Sequence, residues 1–137
     1  MAKKNSPKRL SRQDKRNLDI EIGFLEGVIK RDPKYVDALQ ILGDDYTRRG
    51  KYTQGLKVDE TLSELRPEDA LVQYNLACSY SLTEQFELAT VALDRALTLG
   101  YRDFRWIAED PDLAALRKHP LYRQIRVKLR SLRIEIR

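Results

Sequence analysis

The chain has one cysteine, one histidine, one methionine and one tryptophan among its 137 residues. A single cysteine, Cys78, excludes an internal disulfide and any zinc site built on several thiolates. A single histidine, His119, excludes every mechanism or metal centre that needs two. Glycine and proline are scarce, at 6 and 5, which argues against an all-β sandwich with its closely spaced turns. No apolar run approaches the length of a membrane span. No apolar segment follows the basic N-terminus closely enough to make a secretory signal. A Gly-rich phosphate loop, G-x-S-x-G and H-E-x-x-H are all missing. The expectation is a soluble, reducing, cytoplasmic protein with no catalytic residue, no metal and no cofactor.

What is present suffices for one folded domain. Hydrophobic residues make up 42% and charged residues 34%, so the chain can bury one core under a heavily solvated surface. The net charge of +5 is unevenly placed. Residues 1–17 carry Lys3, Lys4, Lys8, Arg9, Arg12, Lys15 and Arg16 against Asp14, a net +6. Residues 117–137 carry Arg117, Lys118, Arg123, Arg126, Lys128, Arg130, Arg133 and Arg137 against Glu135, a net +7. The body between them is therefore −8. Basic ends on an acidic body suit phosphate contact, an acidic protein partner, or solubility alone.

The sequence also repeats. Pro33 and Pro67 lie 34 residues apart. The same shift pairs Leu42 with Leu76, Gly43 with Ala77, Tyr46 with Tyr80, Tyr52 with Phe86, Gly55 with Ala89 and Leu65 with Leu99. Small residues fall on small ones and aromatics on aromatics. Gly43 and Ala77 predict a close approach of the first helix of each unit to the second, answered by Gly55 and Ala89. Gly50, in the "RRGKY" turn, suits a backbone with positive φ.

The period and its slots resemble the tetratricopeptide repeat. "LQILGDDY" (Leu39 to Tyr46) matches the first-helix pattern, and "QYNLACSY" (Gln73 to Tyr80) matches it with Gln73 in the large apolar slot. Asp59 and Leu62 stand where the family prefers an aromatic and an alanine. "ELATVALDRALTL" (Glu87 to Leu99) is nearer to type. The resemblance implies an all-α, short right-handed solenoid of antiparallel helix pairs. Residues 36–67 and 70–100 form the two repeats. Residues 18–33 read as the second helix of a unit whose first helix is missing or degenerate, with Gly23 and Gly27 expected in close packing. Residues 1–17 hold almost nothing apolar and are expected to form a disordered arm.

After Gly100 the period stops. "GYRDFRWIAEDPDLAALRKHPLYRQI" contains Asp110-Pro111 and His119-Pro120, each a cap followed by proline at a helix start. It resembles the segment that closes groups of such repeats in many bacterial proteins. Residues 101–137 thus form a cap, with Leu113 and Leu116 facing the last repeat. Leu121, Ile125, Leu129, Leu132 and Ile136 mark its apolar stripe.

Stacked helix pairs leave a concave face lined by the first helix of each unit. By the resemblance, that face carries Asp37, Gln40, Ile41, Asp44 and Arg48 in the first repeat. In the second it carries Leu71, Tyr74, Asn75, Cys78 and Leu82. Some members of the family clamp a partner's C-terminal carboxylate with lysine and asparagine. Asn75 matches one such slot, but Gln40 and Asp44 replace the others. The expected function is noncatalytic protein–protein interaction, as a small adaptor or co-chaperone-like module. The alternative is a nucleic-acid- or ribosome-associated accessory protein using its basic ends. Lysine and arginine without exposed aromatics would hold nucleic acid only weakly and nonspecifically; the C-terminal helix offers only Tyr122. A monomer is expected, with the C-terminal helix as the face for any homodimer.

Overall fold

A computed structural model describes residues 9–135. Helices follow one another as antiparallel neighbours: α1 (Arg12–Arg31), α2 (Val36–Arg49), α3 (Tyr52–Leu65), α4 (Ala70–Leu82) and α5 (Phe86–Thr98). Each packs against the next in the chain. A short helix, α6 (Phe104–Glu109), leads through a 3-10 turn at Pro111–Leu113 into α7 (Ala114–Arg117) and α8 (Tyr122–Glu135). The 3-10 turn and α7 lie against α4, and α8 lies against α5. The architecture is an all-α stack of two helix pairs, α2–α3 and α4–α5, between a leading helix and a closing segment.

The 34-residue period is visible in bonds as well as in residue types. Tyr46 on α2 donates its hydroxyl to Glu26 on α1 at 2.5 Å. Tyr80 on α4 donates to Glu60 on α3 at 3.0 Å. Donor and acceptor both move by 34, so α1 stands to α2 as α3 stands to α4. The turns repeat too. The Lys51 amide donates to the Tyr46 carbonyl, and the Gln85 amide to the Tyr80 carbonyl, both at 2.8 Å. Gly50 takes φ +87°, and Glu84, its counterpart, takes φ +60°.

Small residues set the helix spacing. A Cβ at Gly43 would lie 3.2 Å from both Val58 Cγ1 and Asp59 Oδ1, so anything larger forces α2 from α3. The slots that depart from the family pattern carry polar links instead. Asp59 is buried and accepts from Ser79 Oγ at 2.5 Å. Gln73 is buried and donates to Ser63 Oγ at 2.9 Å and to the Pro67 carbonyl at 3.2 Å. Each compensates a buried polar group that would otherwise be costly.

Two expectations at the N-terminal end need correction. The leading helix begins at Arg12 and not at Leu18, so the last six residues of the expected disordered arm are helical. Ser11 accepts from the Asp14 amide at 3.0 Å, and Asp14 accepts from the Ser11 amide at 3.1 Å. This capping box holds the first turn without any apolar contact. Residues 1–8 of that arm lie outside the described residues. Gly23 and Gly27 are not in close packing either. Nothing lies within 4 Å of a Cβ at either position, because α1 turns Leu18, Ile22 and Leu25 inward and these glycines outward.

Candidate functional site

The predicted binding face divides sharply between the two repeats. On α2, Asp37, Gln40 and Arg48 are exposed, Ile41 is 48% exposed and Asp44 is half-buried. The helix turns Ala38, Leu39, Leu42 and Tyr46 to its neighbours, leaving these five side chains outward. One apolar residue thus lies among two carboxylates, an amide and a guanidinium. Such a face offers a shallow apolar contact with polar orientation on either side.

On α4 the corresponding slots are occupied from within. Tyr74 and Cys78 are completely buried, and Leu71, Asn75 and Leu82 are half-buried. Tyr74 and Cys78 are therefore core residues and not open groove residues, which corrects the expectation for both. The closing segment covers them. Leu113 and Leu116 are fully buried, as the sequence suggests. Tyr74 stacks on Tyr101 with ring centroids 4.2 Å apart and planes within 5°. Its hydroxyl donates to Asp110 Oδ2 at 2.6 Å, and the Cys78 thiol approaches the same oxygen at 3.6 Å. Burial and the nearby Cys78 and Asp110 push the Tyr74 phenol far above its ordinary range, so it stays a donor. The other oxygen, Asp110 Oδ1, accepts from the Asp112 amide at 2.9 Å. Asp110 thus caps its own turn and ties that turn to α4 at once.

Ligand atoms of Cys78, Asp110 and Asp112 come within 4.8 Å of one another. Both Asp110 oxygens are already acceptors in these bonds, so the cluster reads as a structural knot. Asn75 Oδ1 is enclosed without a hydrogen-bond partner. His119 accepts from the Leu121 amide at 3.1 Å through Nδ1, the expected cap.

The basic C-terminal helix is partly committed as well. Lys128 pairs with Asp94 at 2.9 Å and donates to Thr98 Oγ1 at 2.5 Å. Arg126 lies over the Tyr122 ring and donates to the Arg117 carbonyl at 3.1 Å. Arg117 donates to the Ile107 carbonyl at 2.8 Å, and Arg133 lies over Phe104. Tyr122 is buried together with Ile125, Leu129 and Leu132. It takes the first core position in place of half-buried Leu121 and is not open to a nucleic-acid base; Ile136 lies outside the described residues. Three cations of α8 and Arg117 of α7 thus fasten the cap, a role that net charge does not reveal. No described helix is long and apolar enough to cross a membrane.

One titratable contact joins α1 to α2. Asp45 is buried, and its carboxyl is raised to about 7 by burial and by the adjacent Glu21 carboxyl. Its Oδ2 is enclosed with no hydrogen-bond partner. Tyr46, on the same turn, is pushed up to about 12 by burial and its bond to Glu26.

No family model matches the chain. Among curated proteins, 79 residues, 56% of the chain, are 43% identical to a chloroplastic protein of Arabidopsis thaliana. Another 90-residue match, 64% of the chain, is 32% identical to a peroxisomal targeting signal receptor of Komagataella phaffii. The same match recurs in the receptor of Komagataella pastoris. The matched segments span 24% of the chloroplast protein and 16% of the receptor. The chain is thus similar to a limited part of much longer proteins, and the receptor match agrees with a tetratricopeptide-like helical repeat.

Proposed function

We propose that the protein is a noncatalytic protein–protein interaction module. It acts as a small adaptor that docks a partner segment on the outward face of α2. The observation carrying this reading is the contrast between the two first helices. Ile41 stands open among Asp37, Gln40, Asp44 and Arg48, while the chain's own cap fills the matching face of α4. Similarity to part of a protein named as a targeting signal receptor supports a peptide or protein as partner. Asp37 and Asp44 favour a segment with an apolar side chain next to lysine or arginine, since a carboxylate tail would meet like charge.

The test is a peptide-array screen followed by titration of the strongest binder. Ile41→Ala with Asp44→Lys should weaken that binder at least about tenfold, because both the apolar contact and its charged neighbour are lost. The thermal melt of the variant should match the parent. A binder that ignores both changes would place the interface elsewhere and defeat the proposal.

A further inference from the structure

The solvent face of α1 carries a pattern that neither the fold nor the α2 face uses. Phe24 is 70% exposed and Ile20 is 66% exposed. Phe24 lies 34 residues before Val58 and 68 before Ala92, and both counterparts are buried. A position that is core in both complete units therefore stands uncovered in the leading one. Opposite the buried Leu18, Ile22 and Leu25, the exposed positions run Gln13, Asn17, Ile20, Phe24, Gly27 and Arg31. Their spacings are 4, 3, 4, 3 and 4, a heptad seam with Asn17, Phe24 and Arg31 at a and Gln13, Ile20 and Gly27 at d.

The charges beside this seam decide what can cover it. The flanking g positions are Arg16, Gly23 and Lys30, and the e positions are Asp14, Glu21 and Val28. In a parallel pair, g of one helix meets the next e of the other. Arg16 then faces Glu21 of the second copy, twice by symmetry, and Gly23 faces Val28. In an antiparallel pair, g meets g, and Arg16 would confront Lys30. Of the two polar a positions, Asn17 favours a two-stranded pairing in register, and Arg31, the one cation that meets its own copy in the parallel pair, sits at the last residue of α1. The rest of the molecule lies behind α1, on its Leu18–Leu25 side, so nothing described blocks the approach.

We propose that the chain forms a parallel two-fold dimer through the solvent face of α1, with Phe24 and Ile20 at its centre. The seam is short and holds two large apolar residues, so the dimer is weak and reversible.

Sedimentation equilibrium of the full chain, from roughly 5 to 500 µM, should show the dimer. Phe24→Ser should weaken it at least about tenfold while leaving the monomer's melt unchanged, because the side chain is exposed. Asn17→Leu should tighten it by about tenfold. Gln13→Cys, at a d position, should give a disulfide-linked dimer under a mild oxidant if the helices are parallel. A parent chain that stays monomeric at the top concentration overturns the proposal. A dimer that survives Phe24→Ser but is lost in Ile134→Ser places self-association on α8 and also overturns it. A dimer in which Gln13→Cys fails to cross-link contradicts the parallel arrangement.

Discussion

Helices α2 and α4 hold the same place in their repeats, yet their outward faces meet opposite fates. Gln40 and Ile41 face water and Asp44 is half-buried, whereas Tyr74 and Cys78, 34 residues after Gln40 and Asp44, lie under the closing segment. The difference follows from position in the stack. A helix pair cannot bury both of its faces alone, so the last pair depends on whatever follows it. Here the follower is a non-periodic turn whose Asp110 reaches both Tyr74 and Cys78. The second repeat therefore contributes stability at the slots where the first can contribute recognition.

The sharpest way to break this comparison is to truncate both faces. Tyr74→Ala removes a buried ring stacked on Tyr101 and leaves a cavity, at a cost of about 3–5 kcal/mol. Ile41→Ala, at the adjacent slot of the other repeat, should stay within about 0.5 kcal/mol of the parent. Tyr74→Phe keeps the ring but takes one donor from Asp110, and should cost about 1–3 kcal/mol. Urea denaturation of the three variants checks the order. A Tyr74→Ala midpoint equal to the parent's would mean that the closing segment does not rest on α4.

Much of this arrangement is legible in the sequence. The 34-residue shift locates both helix pairs and the tight Gly43 contact, the "RRGKY" turn marks the left-handed Gly50, and the likeness of the closing segment to a repeat cap places Leu113 and Leu116 inward. These are local or periodic features, and each is set by residues within one unit or its neighbour. The closure over Tyr74 and Cys78 is neither. It depends on where a non-repeating turn lands, and the family pattern places those slots on an open face. The start of α1 was present in the sequence as Ser11 and Asp14, a serine followed three residues later by an acid. A repeat register beginning at Leu18 passes over it, because capping needs no apolar residue. Gly23 and Gly27 mislead for a related reason: small residues permit close approach but do not supply the helix that approaches.

The two inter-repeat contacts also differ in how they respond to pH. At the α3–α4 junction Ser79 meets Asp59, while at the α1–α2 junction Asp45, the counterpart of Ser79, meets Glu21. The Asp45 carboxyl is raised to about 7 by burial and by Glu21, above the roughly 4 of an unfolded chain. The native state therefore holds a proton that the unfolded state releases first. Stability from this group is greatest below about pH 4, falls as pH rises towards 7, and is level above that. Asp45→Asn should remove the decline. It should stabilise the protein by about 2 kcal/mol at pH 8 and hardly at all at pH 4, since solvent around the exposed Glu21 screens the pair and moderates a linkage ceiling of roughly 4 kcal/mol. Denaturation at both values tests this, and a variant with the parent's pH slope would remove Asp45 as its source.

The smallest difference between the repeats lies in their turns. Gly50 and Glu84 occupy one position of the period and share a backbone of positive φ. The two following amides make matching bonds of 2.8 Å, so the turns have one geometry and two residue types. Glycine adopts this region freely, whereas a side chain there is crowded against its own carbonyl by about 1–2 kcal/mol. Glycine also gives the unfolded chain more freedom, which offsets part of that gain. Glu84→Gly should therefore stabilise the second turn by about 0.5–1 kcal/mol. The reciprocal Gly50→Glu should destabilise the first by about 1 kcal/mol, with no steric clash because nothing lies within 4 Å of a Cβ at Gly50. Both residues are exposed, so backbone conformation alone should set the shifts. Opposite signs in paired thermal melts would show that the two turns are equivalent in energy as well as in shape. A destabilised Glu84→Gly would instead mean that the Glu84 side chain makes a favourable contact that Gly50 has no means to copy.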